Sequence, residues 1–156
     1  KISKKGNIKR EGNIMKYNLG ILKGQTVVFK VMKDKHWYFT NGVITKTKQN
    51  KTHISFYFTD GRVFTISDEL LRHMEIGRSW DKTTVFFIEN TNKYFISGLV
   101  GFTMFDTMGF PLELTQEILE EEGYTLDVAG FEVLRVLQKE MNSNTFKNKD
   151  AFGGRE

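Results

Sequence analysis

At 156 residues, with 39% hydrophobic and 27% charged side chains, the chain can bury one full core or two small ones that share an interface. It contains no cysteine, which excludes disulfides, a thiolate zinc site and a cysteine nucleophile, and it has no apolar run of membrane-spanning length and no signal-peptide pattern. The formal charge of +4 is unevenly spread: residues 1–16 carry six basic side chains against one acidic, 17–76 nine against five, and 111–140 two against eight, so a basic front adjoins an acidic back.

Residues 1–18 read as a flexible basic arm, lysine-rich, with two Gly-Asn pairs and little apolar spacing. From Leu19 the pattern changes to β-branched and aromatic runs at 25–32, 36–46 and 52–59, separated by Lys33-Asp34-Lys35, by Lys48-Gln49-Asn50-Lys51 and by the turn pair Asp60-Gly61. Arg62 to Ser67 continues the last hairpin, and Ser67 is placed to cap a short helix with Asp68 and Glu69 in its first turn. Short strands joined by tight turns and ending in one helical turn predict a small β-barrel over 19–76. The order Trp37-Tyr38, Gly42-Val43-Ile44, a strand, Asp60-Gly61, a strand and Asp68-Glu69-Leu70-Leu71 is similar to SH3-like barrels of the Tudor type.

Residues 77–97 predict a connecting β-hairpin, with Thr83–Ile88 and Tyr94–Ser97 as its arms around Glu89-Asn90-Thr91-Asn92-Lys93. It leads into Gly98 without a flexible linker, so barrel and helices are expected to pack together. Residues 98–142 predict a module of three helices. Val100, Phe102, Met104, Phe105 and Met108 form a first apolar run that Gly109 ends, and Pro111, the only proline, forces an extended entry at Phe110. Leu112 to Glu122 places Leu112, Ile118 and Leu119 along one side, and Gly123 stops it. Thr125 and Asp127 are cap candidates for a third run through Val128, Phe131, Leu134 and Leu137 or Gln138. Residues 143–156 lose this periodicity and read as a partly ordered tail. The whole is α+β: a small SH3/Tudor-like barrel, a β-hairpin and a three-helix C-terminal module.

Within the helical module, Phe105-Asp106-Thr107-Met108-Gly109-Phe110-Pro111-Leu112-Glu113-Leu114-Thr115 is followed by Gly123, by Leu126-Asp127 and by Gly130-Phe131-Glu132, with Gln138 seven residues after Phe131. This resembles the alanyl-tRNA synthetases, in the helical region that follows their catalytic core and is associated with tRNA acceptor-stem recognition. The resemblance implies that Asp106, Gly109, Phe110 and Pro111 form the structural turn of the motif. Two tyrosines of the family pattern are replaced here by Phe105 and Met108, so any hydroxyl contact they made is lost.

The residues offer little for catalysis. His36, His53 and His73 do not fall at metal-ligand spacing, Glu120-Glu121-Glu122 point in different directions around a helix, and there is no Gly-rich phosphate loop. The resemblance implies a catalytic core before the matched region, which nothing in 1–97 resembles. The expectation is therefore a chain that is not an enzyme, with no metal and no cofactor.

Two functions follow. The first is RNA binding, tRNA favoured, through Lys30, Lys33, Lys35, Lys46, Lys48 and Lys51 beside Trp37, Tyr38 and Tyr57, since lysines answer phosphate and aromatic rings stack on bases. The same rings could instead fill a barrel. The second is a protein-interaction module, or a phage-type host-directed modulator, that presents the acidic helices to a basic protein surface. The lysine- and asparagine-rich composition suits a low-GC bacterium or its phage. No membrane partner is expected, and the cytoplasm is the expected compartment.

Overall fold

The computed structural model describes residues 16–88 and 94–153, with side chains through residue 143. The basic arm expected at the start lies outside them except for its last residues. There Tyr17 is buried, and its backbone pairs with the side-chain amide of Gln49, which donates to the Tyr17 carbonyl at 2.6 Å and accepts from its N–H at 3.3 Å. A 3-10 turn at Leu19–Leu22 then buries Leu19, Ile21 and Leu22.

Strands β1 (Thr26–Lys33), β2 (His36–Gln49), β3 (His53–Phe58) and β4 (Val63–Ser67) form the expected antiparallel meander. The β1–β2 turn puts Asp34 and Lys35 at φ 53° and 65°, the double left-handed geometry that suits the twist of a two-residue hairpin. Ser67 caps helix α1 (Asp68–Arg72), its hydroxyl accepting from the Leu70 N–H at 3.2 Å.

The expected barrel does not form. Strands β5 (Glu75–Arg78) and β6 (Thr84–Ile88) pair with each other, and β6 also lies parallel to β1, with Phe29 opposite Phe86. The sheet therefore runs β4-β3-β2-β1-β6-β5 and stays open, with β4 and β5 as unpaired edges. Closure needs a backbone ladder between the edges. Here the concave face is filled by rings instead: Phe29 stacks on Phe86 at 4.9 Å and on Phe64 at 4.6 Å, and Phe56 lies 4.7 Å away. Phe64 belongs to the edge strand β4, so the sheet curls far enough for side chains to meet across it.

The hairpin expected over 77–97 is corrected by the same pairing. The second arm, β7 (Phe95–Ile96), pairs in parallel with β8 (Thr125–Leu126), not with β6. Three helices complete the fold: α2 (Gly98–Met108), α3 (Leu112–Glu121) and α4 (Val128–Gly153). The backbone of α4 continues through the segment that reads as a tail. Residues Gly98 to Met104 of α2 are all buried, so this helix is the centre of the molecule and not an amphipathic cover. A second aromatic group, Phe102, Phe105 and Phe131, joins α2 to α4 at centroid distances of 5.7–6.3 Å.

The α2–α4 crossing depends on missing side chains. A Cβ on Gly98 would stand 2.3 Å from the backbone nitrogen of Phe131 and 2.6 Å from the Asp127 carbonyl oxygen. At Gly101 a Cβ would meet only the flexible end of Leu126, at 3.1 Å. Gly98→Ala should thus cost about 3 kcal/mol or more, since backbone must move, and Gly101→Ala should stay within about 1 kcal/mol of the parent. Urea midpoints of the two variants check this, and equal losses would mean that the helices do not cross at Gly98.

Tyr17 is sensitive to alkaline pH. Its hydroxyl is buried with no well-formed hydrogen bond among the described residues. Burial raises its pKa well above the ordinary value, the charge of Asp68 adds to this, and Arg72 opposes it. The unfolded chain loses this proton near pH ~10 while the folded chain keeps it to higher pH, so the contribution is intact below that point and declines as pH rises past it. Tyr17→Phe should flatten the alkaline fall in stability, read as denaturation midpoints from roughly pH 8 to pH 11. An alkaline limb as steep as the parent's would remove Tyr17 as its source.

Candidate nucleic-acid interface

Helices α2 and α4 pack against β5, α1 against β4 and the 3-10 turn against β2. The buried rings lie on the concave face, and the convex face carries exposed side chains of β2. Alternation along β1 sends Val27 and Phe29 inward and Lys30 outward. Register then aligns Lys30 with Phe39 on one side and Phe87 on the other, so these three form a row across β2, β1 and β6. Trp37, two residues before Phe39, shares the face. Together Lys30, Trp37, Phe39 and Phe87 line an open groove of about 370 Å³. The Lys30 ammonium sits 5.4 Å from the centre of the Phe87 ring.

Further along β2 a bulge between Ile44 and Lys46 resets the alternation, keeping Ile44 buried and turning Lys46 outward beside Tyr57. The Lys46 ammonium lies 4.8 Å from the Tyr57 ring centre, and Lys48, two residues on, follows on the same face. Of the residues singled out from sequence, Lys30, Trp37, Lys46, Lys48 and Tyr57 thus share this face. Lys33 and Lys35 stand at the β1–β2 turn and Lys51 at the β2–β3 turn, at opposite ends of β2. Tyr38 alternates to the other face, opposite Val31, and is 55% exposed beyond the core.

Sequence reasoning missed Phe39 and Phe87. Phe39 was available from its period-two spacing to Trp37, but Phe87 joins only through the parallel β1–β6 pairing. It also passed over Trp80, which is 95% exposed in the β5–β6 turn. That turn is fixed by Asp81, which accepts from the Ser79 hydroxyl and from the Thr83 N–H at 3.1 Å. Hydrogen bonds from Ser79 and then Thr83 hold the Asp81 carboxyl below the usual range. At the β3–β4 turn, the Arg62 N–H and then its guanidinium do the same for Asp60.

The remaining singled-out residues lie in the helices. Asp106, near the end of α2, accepts from Gln138 of α4 at 2.8 Å and from Asn18 at 3.1 Å. Gly109 takes φ 74°, with its N–H returning to the Phe105 carbonyl at 3.1 Å and that of Phe110 to Met104 at 3.1 Å, which closes α2. Pro111 then enters α3, its carbonyl accepting from Thr115 at 3.1 Å. Phe105 packs edge-on against Phe131 at 5.7 Å, while Met108 is 54% exposed. Glu113, Glu117, Glu120 and Glu121 are exposed on α3. Among the described residues no group of three or more His, Asp or Glu side chains is placed to hold a metal ion, and no helix is long and apolar enough to cross a membrane.

Comparison with known proteins places this chain. The model of the tRNA synthetases class II (A) matches residues 74–154. The alanine–tRNA ligase of Synechocystis is 51% identical over 55 residues, 35% of this chain and 6% of that protein. That of Microcystis aeruginosa is 68% identical over 37 residues, 24% of this chain and 4% of that protein. That of Latilactobacillus sakei is 40% identical over 70 residues, 45% of this chain and 8% of that protein. The chain spans less than a tenth of the length of these curated relatives, and no solved structure matches. The match takes in β5, β6 and all three long helices, just over half of the sequence, and through it the chain belongs to the tRNA synthetases class II (A), with its similarity to alanine–tRNA ligases in the C-terminal half.

Proposed function

We propose that this protein binds RNA without catalysis and that tRNA is its ligand. The observation that carries the reading is the separation of charge by face. Lys30, Lys46 and Lys48 project from the convex sheet face, Lys33, Lys35 and Lys51 flank it, and the exposed carboxylates of α3 belong to the helical side. Phosphate is attracted to one side and repelled from the other, and release of its counterions supplies the affinity. The names of the relatives supply the preference for tRNA. The absence of catalysis is part of the proposal, and the cytoplasm is the compartment this reading implies.

A second reading, a protein-interaction module or host-directed modulator, has Glu113, Glu117, Glu120 and Glu121 of α3 in its favour, because a basic protein surface meets them more easily than an RNA stem does.

Mobility shift with total tRNA, titrated from low to physiological salt against a duplex DNA competitor, tests the first reading. Saturable binding that prefers tRNA and weakens steeply with salt is expected. Replacing Lys46, Lys48 and Lys51 together by alanine should lower the slope of log affinity against log salt by about two to three, with the fold intact because all three are exposed. An unchanged slope would move the contact off β2. No binding at low salt would reject the reading and make α3 the bait for a protein partner.

A further inference from the structure

We propose that the convex sheet face takes an unpaired stretch of RNA, seating a base in the groove between Trp37, Phe39 and Phe87 and laying the flanking phosphates along Lys30, Lys46 and Lys48. The inference rests on the RNA-binding reading above and specifies which form of RNA the face accepts.

The first argument is exposure. Trp37 is 43% and Phe39 67% exposed, two residues apart on the same face of β2, while Phe29, Phe56, Phe58 and Phe86 on the other face of the sheet are buried. A contiguous aromatic patch of this kind, rimmed by polar residues, marks a binding surface. The groove is concave, and at about 370 Å³ it lies toward the small end of ligand clefts.

The second argument is the chemistry of its lining. Three rings offer flat apolar faces, and Lys30 is the cation among them, its ammonium held over Phe87 within reach of a phosphate. A purely apolar peptide would leave that ammonium desolvated and unpaired, at a cost in affinity. A base with its own phosphate satisfies both the rings and the charge.

The third argument is spacing. From Phe39 to Lys46 the chain runs seven residues along β2, roughly 23 Å of strand, enough for several nucleotides. Lys46 and Lys48 continue in that direction. In the other direction, across the sheet, Glu75 stands opposite Phe87 on the edge strand β5 and is exposed, so phosphate is steered along β2 and away from that edge.

These features select single strands. In a duplex the base faces are stacked on one another and cannot reach protein rings, whereas unpaired bases can splay out onto aromatic side chains.

The test uses Trp37 as its own reporter. The chain has two tryptophans, and Trp80→Phe at the 95% exposed position leaves Trp37 alone. This variant is titrated with an unstructured RNA strand, with a fully paired RNA duplex of the same sequence, and with the matching DNA strand. Affinity at least tenfold higher for the RNA strand than for the duplex is expected, with quenching of Trp37 emission on saturation. Phe39→Ala in the same background should weaken strand binding roughly ten- to hundredfold while leaving the thermal midpoint in place. Tight binding of the duplex, or strand binding without quenching, would overturn this inference and leave the RNA-binding reading standing. Preference for the DNA strand would overturn the assignment to RNA, and failure of every nucleic acid to bind at low salt would overturn both readings.

Discussion

Asp127 accepts backbone N–H groups from two directions at once. One carboxylate oxygen caps α4 through Gly130 at 3.0 Å, and the other takes the N–H of Ile76 in β5 at 3.0 Å. Both bonds are buried, so either N–H left alone would carry the full cost of desolvation, of order 1–3 kcal/mol. The geometry leaves no room for a side chain on Gly130, where a Cβ would stand 2.2 Å from the carboxylate. The carbonyl of Asp127 continues the arrangement by accepting from Phe131 at 3.1 Å, at the point where Gly98 lets α2 approach. One residue therefore fixes the start of α4, its distance from α2 and its attachment to the edge strand of the sheet.

The consequences reach the opposite face. With α2 and α4 held against β5, the rings of Phe29, Phe56 and Phe86 are buried in the core and Phe64 packs, partly buried, against them. A curled sheet that is already filled gains nothing by closing its edges. The convex side is then free to carry aromatic residues that the core does not need. The adjacent phenylalanines of β6 divide accordingly, Phe86 inward and Phe87 outward.

Local signals were the legible ones. Hydrophobic period, turn pairs and cap residues located the four-strand meander, the short helix behind Ser67, the stop at Gly109 and the cap at Asp127, because each is decided within a few residues of sequence. The open sheet was not legible. Thr84–Ile88 is a short β-branched and aromatic run that would suit either a hairpin with 94–97 or a central strand, and the choice is made by a parallel partner more than fifty residues earlier in the chain. The candidate site inherits this difference. Its lysines and Trp37 could be read from residue type, and Phe39 from alternation, but Phe87 has no local mark that separates it from its buried neighbour Phe86.

The position of the groove relative to the matched region bears on how the protein works. Lys30, Trp37 and Phe39 lie before residue 74, where the family match begins, and Phe87 lies within it. The groove is assembled by β6 crossing from the matched part to pair with β1 of the other, so neither part supplies all of its lining. The lysines of β2 belong to the unmatched part, and the acidic α3 to the matched part. A helical region that carries eight acidic side chains against two over 111–140 is a poor surface for phosphate. On the proposed reading this region is a support, joined to the sheet through the Asp127–Ile76 bond, and the RNA strand meets the lysines and rings of the sheet face.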